Sequence, residues 1–359
     1  MEINTLQESR YKIQQQLSSK AGRITYLAED THSQDLVVIK VLLFGSIQWE
    51  DVKLFEREAN TLKNLDHPAI PKYLDYFEID EDEIKGFALV QTYINATSLQ
   101  KTVEQGRKFS EEELRELAQK LLDILHYLHQ QIPPVIHRDI KPSNILISNR
   151  SAHSVSDVYL VDFGSVQTVA NKNSGTITIV GTFGYMPQEQ FIGKTTKASD
   201  LYSLGMTLIY LITGVHPAEL IQDDGRIKLD ENLVSSQFRR WLEKMTSPYP
   251  KGRLKSADLA KFSLKVLDGE SSEYTLNTKP HNAGIKLYKS NNYWEDGGKL
   301  LRQDYNALNN DSKIVPLASS VALVFLFIAI LSNSPGIGIL LLLIPSLTVI
   351  FFGINRAHK

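Results

Sequence analysis

Asp139, Lys141 and Asn144 fall within six residues of the run His137-Arg138-Asp139-Ile140-Lys141-Pro142-Ser143-Asn144, and Asp162-Phe163-Gly164 begins eighteen positions after Asn144. An Asp can accept the proton of an attacking hydroxyl, and a Lys two residues on can neutralise a phosphate. An Asn and a second Asp can hold a hard cation such as Mg²⁺ through oxygen. The set suits phosphoryl transfer, and any fold of this chain must bring the four side chains to one place. The plain alternative is a polar turn between two strands, which leaves the order of eight residues unaccounted for.

The flanking sequence is strand-rich before about residue 94 and helical after it. Val37-Val38-Ile39-Lys40-Val41-Leu42 reads as a buried strand with one Lys aimed at a site. Glu50 to Leu65 reads as a helix stopped by His67-Pro68, and Phe87 to Val90 as another strand. Ser110-Glu111-Glu112-Glu113 starts a helix with a capping-box pattern, continued by Leu114, Leu117, Leu121, Leu122, Leu125 and Leu128. Asp200 to Thr213 and Ser235 to Thr246 are further helices. The expected class is α+β, with no internal repeat. His126 and His129, three apart on a helix, have packing or surface roles rather than metal ligation. Asp80-Glu81-Asp82-Glu83 reads as a solvated turn between strands.

The motifs resemble those of protein kinases, in the bacterial Ser/Thr type that joins this domain to a membrane segment. The resemblance covers residues 8 to 268 and implies a two-lobed fold, with an N-lobe over about 8 to 94 and a C-lobe over about 95 to 268. It implies ATP and Mg²⁺ (Mn²⁺ as an alternative) and Ser/Thr-bearing protein substrates, including the chain itself. By this resemblance Lys40 contacts the nucleotide phosphates and Glu58 orients it, with Glu56 as rival. Asp139 and Lys141 are catalytic, and Asn144 and Asp162 hold the metal. The nucleotide is expected to be bound by Leu17, Ser18, Lys20, Gly22, Thr25, Ile39, Lys40, Gln91, Tyr93, Asn144, Leu146 and Asp162. Thr182 lines the acceptor hydroxyl's position, Glu189 pairs with Arg253, and Asp200 braces the catalytic loop. Arg138 before Asp139 marks the type regulated by activation-loop phosphorylation, with Thr168, Ser174, Thr176 and Thr178 as candidate acceptors.

Two departures stand out. Pro187-Gln188-Glu189 replaces the family's Ala-Pro-Glu or Pro-Pro-Glu. The glycine-rich loop has lost its glycines: alignment on Leu17 and Tyr26-Leu27-Ala28 puts Ser18, Lys20, Arg23 and Thr25 at the four defining positions, and Gly22 falls one position early. Glycine matters there because a backbone without Cβ can approach phosphates closely. Lys20 or Arg23 could compensate by offering charge to the triphosphate. The same loss raises an alternative reading, a nucleotide-binding scaffold without catalysis. A small-molecule kinase of similar fold is a third, disfavoured by the Gly181–Glu189 segment.

The chain has 359 residues, a formal net charge of −2 and no Cys. Neither disulfides nor thiol chemistry is available, and no bulk charge points to nucleic acid. Met1 to Arg10 is polar, which reads against a cleavable signal peptide. Residues 269–313 form a linker rich in Asn, Lys, Tyr, Ser and Gly. Ile314 to Leu331 and Ile337 to Ile354 are apolar stretches that would each span about 27 Å as helices, close to a bilayer core of roughly 30 Å. Ser332 to Gly336 between them is a turn signal, so the expectation is a transmembrane hairpin over 314–354. Lys299, Arg302 and Lys313 before it, and Arg356 and Lys359 after it, place both ends and the main domain in the cytoplasm. A buried globular hairpin, or one span with a membrane-embedded return, are the alternatives; homodimerisation through the hairpin is left open.

Overall fold

The computed structural model describes residues 5–6, 10–20, 22–45, 48–81, 84–148, 157–168 and 181–267. The linker, the apolar stretches 314–331 and 337–354, and the candidate acceptors Ser174, Thr176 and Thr178 lie outside these residues. Among the described residues, no helix is long and apolar enough to cross a membrane.

The N-terminal part is a six-stranded antiparallel sheet in the order β1-β2-β3-β4-β6-β5. Its strands are β1 (Thr5–Leu6), β2 (Tyr11–Lys20), β3 (Arg23–Asp30), β4 (Leu36–Leu43), β5 (Tyr73–Glu81) and β6 (Ile84–Thr92). Period-2 alternation sorts β4: Val37, Ile39 and Val41 pack into a core with Tyr11, Tyr26 and Ala88, so Val38 and Lys40 belong to the other face. The sheet curls until opposite edges meet. Arg10 reaches Asp30 of β3 at 2.9 Å and Asp75 of β5 at 3.2 Å, and the Tyr11 hydroxyl donates to Asp75 at 3.3 Å.

Helix α1 (Trp49–Lys63) connects β4 to β5 and buries Val52, Leu54, Phe55, Glu58, Ala59 and Leu62. The acidic stretch begins at the end of β5, where Glu81 pairs with Ile84 of β6.

Strand β7 (Thr97–Ser98) and helix α2 (Leu99–Glu104) lead into the helical part, built on α3 (Glu111–Gln130). Ser110 caps α3 as its pattern predicts: its hydroxyl accepts from the Glu113 N–H at 3.2 Å, and the Glu113 carboxylate accepts from the Ser110 N–H at 2.8 Å. The six leucines of its stripe are all buried. Strand β8 (Val135–Ile136) pairs with β11 (Gln167–Thr168), while β9 (Ile145–Ile147) lies between β7 and β10 (Val158–Leu160). After the short α4 (Gln188–Phe191) comes α5 (Lys197–Thr213), buried almost all round. Two of its buried hydroxyls return to their own helix, Ser203 donating to the Ser199 carbonyl at 3.2 Å and Thr207 to the Ser203 carbonyl at 2.8 Å, while Ser199 donates to Glu189 of α4 at 2.8 Å. Helices α6 (Ser236–Met245) and α7 (Ala257–Leu267) close the core. A Cβ on Gly205 would come within 2.6 Å of Thr246 and 3.0 Å of Met245, so a side chain there would force the end of α6 off α5.

Candidate active site

The loop after β8 is held from below by one carboxylate. Asp200, fully buried on α5, accepts from the His137 N–H at 3.0 Å and the Arg138 N–H at 2.9 Å, and lies 2.8 Å from the His129 ring. These contacts hold Arg138 in a left-handed backbone conformation, φ +68°, uncommon for a residue with a Cβ. His129 thus has a packing role in support of the loop. His126 points elsewhere, 2.7 Å from Asp258 on α7, so the two histidines do not share a site.

Asp139 emerges from this braced turn. Its carboxylate accepts from the Thr182 hydroxyl at 2.7 Å and from the Asn144 amide at 3.0 Å, and lies 2.8 Å from the Lys141 ammonium. Lys141 also donates to the Thr182 hydroxyl at 2.7 Å. An acid, a cation and a hydroxyl thus form a triangle, with the hydroxyl proton aimed at the acid.

The second constellation bridges the two parts of the fold. The Lys40 ammonium lies 2.5 Å from Glu58 on α1 and 2.8 Å from Asp162. Glu56, the rival partner, is exposed on the same helix. Burial works against the Lys40 charge, but Asp162 and Glu58 outweigh it and hold its pKa above the ordinary value. Burial pushes the Glu58 carboxyl up, with Lys40 opposing. Asp162 is held well below the usual carboxylate range by Lys40. It too has a left-handed backbone, φ +67°.

A cleft of about 670 Å³ runs between the β2–β3 hairpin and the catalytic loop. Leu17, Ser18, Lys20, Thr25, Lys40, Gln91, Tyr93, Leu146 and Asp162 line it, all of them expected from sequence to meet the nucleotide. Three others do not. Ile39 is a correction: strand alternation turns it into the opposite core, and Val38, two before Lys40, lines the cleft instead. Gly22 sits at the hairpin tip with φ +71°, a turn position that favours glycine, rather than over the phosphates. Asn144 is buried beside Asp139. Arg23, offered from sequence as a charge toward the triphosphate, lines the cleft as well, and its guanidinium pairs with Asp51 on α1 at 2.9 Å. Val161, just before Asp162, lines the cleft and was missed; its place in the apolar run ahead of the Asp was the available signal.

Glu189 and Arg253 meet at 2.6 Å, both buried. Gln188 leaves this pair intact, and Gln190 uses its amide to donate to the Arg138 carbonyl at 2.7 Å. The Arg138 guanidinium is buried too; it donates to the carbonyls of Ser165 and, at 3.4 Å, Val166. Burial lowers its pKa to about 10.

Among the described residues, no cluster of three or more His, Cys, Asp or Glu could hold a metal ion. Asn144 and Asp162 nevertheless suit Mg²⁺, which takes a few protein oxygens and completes its shell with phosphates and water. The Asn144 amide nitrogen is spent on Asp139, its Oδ1 accepts a long bond of 3.4 Å from the Ser143 hydroxyl and keeps a second lone pair, and the Asp162 carboxylate is ionised and half exposed at the cleft.

Comparison with known proteins gives the same picture. The family model described as "Protein kinase domain" matches residues 11–273. Serine/threonine-protein kinase B of Synechocystis sp. is 37% identical over 227 residues, covering 60% of this chain and 38% of that protein. Serine/threonine-protein kinase D of the same organism is 31% identical over 353 residues, covering 92% and 66%. Serine/threonine-protein kinase PrkC of Bacillus subtilis is 32% identical over 210 residues, covering 58% and 31%. The chain therefore spans less than two thirds of the length of each of these relatives.

Proposed function

The chain belongs to the protein kinase family, and we propose that it is a membrane-anchored Ser/Thr kinase, moving the γ-phosphoryl group of ATP to Ser or Thr hydroxyls of proteins, itself included. The observation that carries the reading is the Asp139 carboxylate with a hydroxyl already donating to it at 2.7 Å beside Lys141. A substrate hydroxyl in the same relation would be oriented for attack and could give its proton to Asp139. Lys141 would meet the charge on the transferred phosphoryl group. Lys40, fixed between Glu58 and Asp162, would hold the inner phosphates. Mg²⁺ held by Asn144 and Asp162 would neutralise phosphate charge. The other groups act by position and electrostatics, so they act as a set.

Anchoring rests on the apolar stretches 314–331 and 337–354, and the flanking Lys and Arg residues favour a cytoplasmic kinase domain. A second reading, a nucleotide-binding scaffold, is favoured by Ser18 and Lys20, whose side chains line the cleft where the family has glycine. One experiment addresses both parts. The full-length chain is expressed, membranes are separated from soluble protein, and each fraction is given γ-labelled ATP and Mg²⁺. Phosphoserine or phosphothreonine formed by the membrane fraction supports the proposal. Nucleotide binding without label transfer supports the scaffold, and full recovery in the soluble fraction removes the anchor.

A further inference from the structure

The hairpin over the cleft is fixed at its tip. Lys20 of β2 pairs with Arg23 of β3, and the Gly22 carbonyl accepts from the Leu43 N–H of β4 at 2.8 Å. The Arg23 guanidinium then leaves the sheet and donates to the Asp51 carboxylate at 2.9 Å. Asp51 stands in the first turn of α1, and its other oxygen accepts from the Gln48 N–H at 3.0 Å, which starts the helix. Seven residues further along the same helix is Glu58, which holds Lys40 at 2.5 Å. Two turns of α-helix, about 10 Å, act as a stiff rod, so a restraint at Asp51 is felt at Glu58. The charge of Arg23 also favours ionised Glu58.

We propose that Arg23 is a positioning residue: its pair with Asp51 couples the phosphate-facing hairpin to α1, so that hairpin and Lys40–Glu58 pair reach their working arrangement together. The proposal rests on the kinase reading of the cleft. It gives the residue at a glycine position of the loop a task that glycine cannot perform. The competing role for Arg23 is direct contact with the triphosphate, and Asp51 separates the two. A tether needs both residues, whereas an Arg23 that served the phosphates would be released by loss of Asp51.

Both side chains are 37% exposed, and an ion pair of that kind shifts an equilibrium by about two- to fivefold. The test uses the full-length chain as Arg23→Ala, Asp51→Asn, the double variant and Arg23→Lys. Asn at 51 keeps an oxygen for the Gln48 N–H. Two readouts are taken: kcat and KM for ATP, and hydrogen exchange of the α1 amides without nucleotide. The expected result is a fall in kcat of about two- to fivefold in each single variant and no further fall in the double. KM for ATP changes less than kcat, Arg23→Lys recovers activity, and exchange over Trp49–Lys63 rises in both singles. The proposal is overturned if Arg23→Ala raises KM while Asp51→Asn does not, or if the losses add. If the wild-type chain transfers no phosphate, the kinase reading fails separately, and the exchange arm alone decides: faster α1 exchange in both variants upholds the tether, and unchanged exchange refutes it.

Discussion

The Thr182 hydroxyl donates to the Asp139 carboxylate at 2.7 Å, across 43 positions of sequence. This contact ties the segment that would receive a substrate to the proposed base. Thr182→Val keeps the shape and removes the hydroxyl. It should lower kcat by about tenfold to a hundredfold, the worth of a hydrogen bond to a charged group, and change KM for ATP little. Thr182→Ser should restore most of the loss. Steady-state kinetics of the three proteins checks this.

Lys40→Met leaves Glu58, which is buried on α1, without its cation. Glu58 should then take up a proton, and the stabilisation of the protein by ATP against heat should disappear. Glu58→Gln leaves Lys40 with Asp162 and an amide acceptor, so nucleotide stabilisation should persist while kcat falls. Thermal shift with and without ATP separates the two.

Arg253 also donates to the carbonyls of Ala198, Ser247 and Pro248, so its partners are not confined to Glu189. Arg253→Met strands a buried carboxylate and should cost about 3–5 kcal/mol of stability. Glu189→Gln leaves the arginine these carbonyls and should cost less. Denaturant titration should rank them in that order.

Burial lowers the pKa of both His67 and His137 below the ordinary histidine value of about 6.5. The unfolded chain then binds more protons than the folded one below about pH 6.5, so stability should be present above that pH and be lost as pH falls through it. His67→Asn keeps a side-chain acceptor for the Ala69 N–H, which His67 receives at 3.1 Å, and should flatten part of this slope. Unfolding measured from pH 7.5 to 5 checks it.

Val38 and Ile39 face opposite sides of β4. Val38→Phe should obstruct the cleft and raise KM for ATP roughly tenfold or more. Ile39→Val should cost about 0.5–1.5 kcal/mol of stability and leave KM unchanged. The pair of variants checks which residue meets the nucleotide.

Much of the site was legible because its chemistry needs particular side chains in a particular order. Asp139, Lys141, Asn144 and Asp162 lie on two short loops in an order that suits phosphoryl transfer, and the contacts of Lys40 with Glu58 and of Asp139 with Thr182 are those the resemblance to protein kinases implied. The leucine stripe of α3 and its Ser110–Glu113 cap were equally plain, because both are local. What was not legible depends on which way a strand faces or on contacts far apart in sequence. The run Val37 to Leu42 is apolar on both faces, so composition alone could not assign Val38 and Ile39; the position of Lys40 and the two-residue period could have done so. Arg23 looked like a spare charge because its partner, Asp51, lies on a different element. His129 reads from sequence as packing or surface, and only the distant Asp200 on α5 decides between the two, by sitting 2.8 Å from its buried ring.

On the proposed function, Asp139 sits where a hydroxyl is readied for phosphoryl transfer. The most direct measurement incubates full-length wild-type and Asp139→Asn proteins with γ-labelled ATP and Mg²⁺, with binding of ATP measured on both. The expected result is label on Ser or Thr with the wild type, a loss of about a hundredfold or more in the variant, and similar ATP affinity in the two. Equal labelling by both proteins, or ATP binding with no transfer by either, would contradict it.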